Sequence, residues 1–80
     1  MTAQRSPEDR LLDCFVSVFP TVPVADLRRA SMEATPGWDS IALATLIAAV
    51  EEEFEIVLPP AAYPELHSFS AFFEQINALR

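Results

Sequence analysis

Seven prolines and one glycine in eighty residues constrain this chain more than any other feature. Tight hairpins draw on glycine, and a proline cannot extend a hydrogen-bonded ladder. The balance therefore favours helices joined by stiff connections over a sheet of hairpins. The prolines also mark where helices begin and stop. Ser6-Pro7-Glu8-Asp9 reads as a helix start: a serine to cap free amides, proline at the first helical position, and acids at the positive end. Leu12, Phe15, Val16 and Phe19 then recur at three- and four-residue steps, with Leu11 and Val18 beside them, and Pro20 ends the run.

Residues 20–38, PTVPVADLRRASMEATPGW, form a long connection in which VADLRRASM has room for a turn or two. A connection of this length is usually functional or is packed down by its own apolar residues. Val22, Val24, Leu27 and Met32 are the expected anchors. A second helix is predicted from Asp39 or Ser40 to Phe54 or Glu55, with Leu43, Leu46, Ile47, Val50 and Phe54 in one stripe. Pro59-Pro60 breaks it. A short third helix is expected near Ala61–Leu66, limited by Pro64. Ser68 caps a last helix whose stripe is Phe69, Phe72, Phe73, Ile76 and Leu79. The expected fold is thus all-α: a single small helical bundle over residues 1–80, with a long loop after its first helix and residues 1–5 flexible.

The chain has twelve acidic residues, five arginines and no lysine, for a net charge of −7. Nucleic acid and anionic membrane surfaces are disfavoured partners, because both require a basic face. Basic proteins are favoured partners. The acids also serve simple solubility. Cys14 is the only cysteine and His67 the only histidine. They exclude an internal disulfide and a thiol-based metal cluster, and as a nucleophile–base pair they are weak evidence. Cys14 reads as a small residue at the edge of the core. The sequence contains no phosphate-cradling glycine loop and no HExxH motif, so no catalytic or metal-binding residue is assigned. No apolar run reaches the roughly 20 residues of a membrane span, and residues 1–10 do not read as a signal peptide. A cytoplasmic monomer is the expectation.

Two features of the second helix depart from a plain amphipathic pattern. Ile41 lies off the apolar stripe, on an outer face with Ala44, Thr45, Ala48, Glu52 and Glu55. Isolated surface hydrophobes are ordinary. An apolar anchor beside carboxylates also suits docking of a basic partner. Glu51-Glu52-Glu53 places acids near the helix C-terminus, where each opposes the dipole at a cost of up to about 1 kcal/mol.

The segment GWDSIALATLIAAVEEEFEIVLPP resembles the central part of acyl carrier proteins and of the related peptidyl, aminoacyl and alanyl carriers. The shared pattern is a glycine, one residue, Asp-Ser-aliphatic, a helix ending in an acid-rich stretch with phenylalanine, and an aliphatic-proline break. The resemblance continues through Leu66, Ser68, Phe69 and Ile76 and back through the first helix. It implies a four-helix fold and a 4′-phosphopantetheine arm, donated by coenzyme A and attached to Ser40 by a phosphopantetheinyl transferase. Asp39 and Gly37 would shape that attachment site, and Ile41, Ala44, Ala48, Glu51, Glu52 and Glu55 would meet partner enzymes. Those partners would be acyl or aminoacyl ligases, acyltransferases and synthases with basic docking surfaces. The arm would carry thioesters for fatty-acid, polyketide or other specialised biosynthesis, while the carrier itself catalyses nothing. Ala42 and Thr45 stand where the family often has polar or acidic residues. Together with the few acids after Pro60, they suggest a specialised stand-alone member. Pro59, Pro60, Tyr63 and Pro64 flank the expected mouth region. Pro64 is expected to stiffen it and to limit sequestration of long acyl chains. The competing reading is an acidic helical adaptor that binds a basic protein and carries no arm. Trp38 is expected to anchor the loop.

Overall fold

A computed structural model describes residues 5–79. Among these residues the chain is all-α, with α1 (Pro7–Val18), α2 (Val24–Leu27), α3 (Ser40–Phe54), a 3₁₀ helix (Pro60–Glu65) and α4 (Phe69–Leu79). Residues 1–4 of the segment expected to be flexible lie outside the described residues. Arg5 is held by an exposed ion pair to Asp13.

The helix starts follow local chemistry. Ser6 Oγ accepts from the Asp9 amide at 3.1 Å, with Pro7 opening α1. Ser68 Oγ accepts from the Ala71 amide at 3.0 Å and opens α4. The inward face of α1 is set by Leu11, Cys14 and Phe15, followed by Phe19. Val16, expected in the stripe, is exposed, and Leu12 is only half-buried. Phe15 and Phe19 thus take their expected places, while Leu11 and Cys14 are buried where Leu12 and Val16 were expected. In α4, Phe69, Phe72 and Ile76 are buried, whereas Leu79 faces solvent.

Phe15 organises the core. Its ring centroid lies 5.6 Å from that of Trp38, 5.0 Å from Phe69 and 5.7 Å from Phe72, all edge-on. Such pairs add about 0.5–1.5 kcal/mol each beyond the area they bury. The seam between α1 and α3 is closed by Arg10. Its Nε donates to Glu53 Oε2 at 2.8 Å, its Nη2 donates to the Glu53 carbonyl at 2.6 Å, and its guanidinium lies 4.5 Å from the Phe54 ring centroid.

The connection between α1 and α3 is pinned differently from expectation. Val24 and Met32 are 54% and 39% exposed and are not anchors. Leu27 and Trp38 are buried and Val22 half-buried, as expected, and Ala30 is buried with them. Backbone bonds to the start of α4 fix the segment: the Met32 amide donates to the His67 carbonyl at 2.8 Å, and the Phe69 amide donates to the Ala30 carbonyl at 3.0 Å. These form an isolated antiparallel bridge between Ser31 and Ser68. VADL forms the single turn of α2.

The 3₁₀ helix stands apart. It has proline on either side of its start and at Pro64, and none of its residues is buried. The expected short helix at Ala61–Leu66 is present, shifted by one residue and tightened to 3₁₀ geometry, in which a run of this kind is short.

Candidate functional site

The approach to α3 is a sequence of small, locally determined steps. Thr35 is buried, and its Oγ1 accepts from the Ser31 amide at 3.1 Å. The Trp38 amide then donates to the Thr35 carbonyl at 3.2 Å, closing a turn over Pro36-Gly37. Gly37 has φ +86°. Proline then glycine at the two central positions, with positive φ at the second, is the signature of a type II turn. A Cβ at Gly37 would touch nothing within 4 Å, so the requirement for glycine is conformational, not steric.

Trp38 is 5% exposed and packs against Phe15, Phe19 and Phe72. It is the loop anchor expected from the sequence. Its indole N–H is buried with no acceptor among the described residues. An unsatisfied donor of this kind costs about 1–3 kcal/mol, which the ring packing must offset.

Asp39 is extended and caps α3, its Oδ1 accepting from the Ala42 amide at 2.9 Å. Ser40 is therefore not the cap. It is the first helical residue, it is exposed, and its hydroxyl makes no hydrogen bond among the described residues. The Ser40 and Ile41 amides likewise have no acceptor among the described residues, while the Leu43 amide donates to the Asp39 carbonyl at 2.9 Å. Free amides and the positive end of a fifteen-residue helix thus face the space around a free hydroxyl. That is a setting suited to phosphate.

Ser40 also lines an open cleft of about 290 Å³, shared with Leu43, Ala44 and Ile47 of α3 and Tyr63 of the 3₁₀ helix. Of the four residues expected at a mouth, Tyr63 is the one brought to Ser40. Its place there is not readable from periodicity, because a 3₁₀ run this short is too brief to set an apolar stripe.

The outer face of α3 is as expected for Ile41, Ala44, Ala48, Glu52 and Glu55, all of which are exposed, with Ile41 at 77%. From Ile41 to Glu55 the strip runs about 21 Å at the helical rise per residue. Thr45 lies in it, but its hydroxyl donates back to the Ile41 carbonyl at 2.9 Å. Glu51 is half-buried, and its carboxylate accepts from the Leu58 amide at 2.8 Å, which fastens the turn after α3. Glu53 is spent on Arg10. Glu55 ends the helix with φ +55°, the one non-glycine residue with positive φ among those described. The Ile56 amide donates to the Glu51 carbonyl at 3.2 Å across it.

Charge is divided unevenly. Arg5, Arg10, Arg28 and Arg29 all pair with acids, namely Asp13, Glu53, Glu8 with Asp9, and Asp26. Glu52 and Glu55 make no ion pair among the described residues. Cys14 is buried, and its thiol is pushed up from 9.0 to about 11, first by burial and then by the charges of Glu53 and Asp13. It makes no hydrogen bond to His67, which is exposed. No helix among the described residues is long and apolar enough to cross a membrane. Compared with known proteins, the chain matches no family model, no curated protein and no solved structure.

Proposed function

We propose that this chain is a carrier of the acyl-carrier type, with a four-helix fold, that holds acyl or aminoacyl groups as thioesters on a phosphopantetheine arm at Ser40. The observation that carries the reading is the division of labour at the start of α3: Asp39 caps the helix, which leaves the Ser40 hydroxyl exposed and unengaged. A capping serine would have its oxygen committed to the backbone. Here the oxygen is free to act as a nucleophile.

In the proposed loading step, Ser40 Oγ attacks the phosphorus of coenzyme A that bears the pantetheine. A new P–O bond forms, the pyrophosphate P–O bond breaks, adenosine 3′,5′-bisphosphate leaves, and the hydroxyl proton passes to a base on the transferase. The product phosphodiester would lie at the positive end of α3. The arm's thiol then accepts an acyl group from a ligase or acyltransferase. The carrier supplies no catalytic group of its own.

The strip of Ile41, Ala44, Ala48, Glu52 and Glu55 supports docking of enzymes with basic surfaces. It offers one apolar anchor, small residues that permit close approach, and two carboxylates without an ion pair among the described residues. Glu55 adds weight, because the left-handed position it occupies would be less strained with glycine.

Intact mass spectrometry tests the reading. After incubation with a broad-range phosphopantetheinyl transferase and coenzyme A, the protein is expected to gain one phosphopantetheine group. Ser40→Ala is expected to gain none, while its stability stays within about 0.5 kcal/mol of the parent because the cap is untouched. Failure of the folded parent to load with several transferases would overturn the carrier reading in favour of an acidic adaptor without an arm.

A further inference from the structure

We infer that the cleft beside Ser40 seats the prosthetic arm itself, with Tyr63 as the positioning residue, so that the acyl cargo rides outside the helical core. This rests on the carrier reading above and adds to it where the arm lies. Ser40 forms one end of the cleft and Ile47 lies seven residues along α3, about 10 Å at the helical rise. A group tethered to Ser40 Oγ therefore enters the cleft with its first atoms, before any cargo at its far end reaches the protein. The walls match what those atoms are. Leu43, Ala44 and Ile47 are apolar, suited to the branched dimethyl segment that follows the phosphate. Tyr63 pairs an apolar ring with a hydroxyl that can exchange hydrogen bonds with the arm's amides.

The volume sets the limit. About 290 Å³ lies at the bottom of the range of small-molecule pockets, about 300–1,000 Å³. An arm lying there leaves little space for a long chain beside it. The interior behind the cleft is already filled: Leu46, Val50, Leu58 and Phe72 are 0% exposed. A close-packed interior admits a chain only by displacing such side chains. Tyr63 borders the cleft from a helix with no fully buried residue, and its half-buried ring packs against the core, which fixes the wall against which the arm lies.

Amide-resolved magnetic resonance on four samples decides the matter: unmodified protein, protein loaded from coenzyme A, protein loaded from octanoyl-coenzyme A, and Tyr63→Ala loaded from coenzyme A. Mass spectrometry on each sample first establishes loading at Ser40. An absence of loading overturns the carrier reading, and the placement of the arm falls with it. Given loading, attachment of the bare arm is expected to shift Leu43, Ala44, Ile47 and Tyr63. The octanoyl chain is expected to add no shift at Leu46, Phe54, Leu66 or Phe72. Tyr63→Ala is expected to load normally and to lose the shifts at Leu43 and Ile47, while Tyr63→Phe keeps most of them. Shifts confined to residues 39–42 on arm attachment would place the arm in solvent. Octanoyl-dependent shifts at Phe54, Leu66 and Phe72 would place cargo in the core. Either result overturns this inference and leaves the carrier reading standing.

Discussion

The two flanks of α3 are built in opposite ways. On the flank facing α1, Leu11, Phe15, Leu46 and Val50 are fully buried, and Arg10 binds both the carboxylate and the carbonyl of Glu53 while lying over Phe54. On the flank facing the 3₁₀ helix, the neighbouring element buries nothing, and the space between is an open cleft bordered by Ser40 and Tyr63. One helix thus has a side that holds the fold together and a side with few fixed neighbours. Elements that must yield to a ligand are drawn from the weakly held part of a structure. Ser40 lies on the open flank, at the end of α3 opposite the Arg10 clamp.

The contrast is sharpest as a pair of truncations. Phe15→Ala removes the ring that four other aromatic rings touch and is expected to cost about 3–5 kcal/mol. Tyr63→Ala removes a half-buried ring from an element without buried residues and is expected to cost about 1 kcal/mol or less. Urea unfolding of both variants measures the difference, and equal losses would show that the two flanks share the load. A smaller effect of opposite sign is expected at the far end of α3. Glu55→Gly relieves a left-handed residue and should stabilise the fold by up to about 1 kcal/mol. Under the carrier reading it should also weaken recognition by a basic partner, so thermal unfolding and a loading rate should move in opposite directions. An effect that shows only at alkaline pH concerns Cys14 on the tight flank. Its thiol titrates near 11 when folded, against 9.0 ordinarily. The unfolded chain therefore gives up this proton first as pH rises. Stability contributed here is intact below pH 9 and declines between pH 9 and 11. Alkylation of the folded protein at pH 8 should accordingly be slow, and Cys14→Ser should flatten the alkaline decline in stability.

What the sequence made legible was mostly local. Ser6, Asp39 and Ser68 act through amides three residues away. The Pro36-Gly37 turn is written in two adjacent residues. The exposed strip on α3 follows from helical spacing alone. Misreadings cluster where distant residues decide. In α1, Phe15 and Phe19 keep their expected places, but Leu11 and Cys14 are buried instead of Leu12 and Val16, an outcome that depends on the neighbours packed against the helix. Val24 and Met32 are as apolar as Leu27, but the bridge from Ser31 to Ser68 determines which part of the connection is pressed against the core. Beyond the misreadings, Glu51 carries a contact that helical spacing does not reveal, because the chain turns and brings the Leu58 amide, seven residues on, to its carboxylate. At the candidate site, Asp39, Ser40 and Ile41 are visible as a motif. Tyr63 is one of four residues expected near the mouth, and the folding of the connection decides that it is the one beside Ser40.

Trp38 is the only tryptophan in the chain, buried among three phenylalanine rings two residues before Ser40. The protein therefore contains a built-in optical probe at the junction where its loop becomes its longest helix. Its emission belongs to one indole in one apolar setting and should lie at short wavelength in the folded state. Loss of the native core would move that emission to the red, and chemistry at the neighbouring hydroxyl would be sensed through two peptide units. A single unlabelled sample can thus report both whether the scaffold is intact and whether something has arrived at its exposed serine.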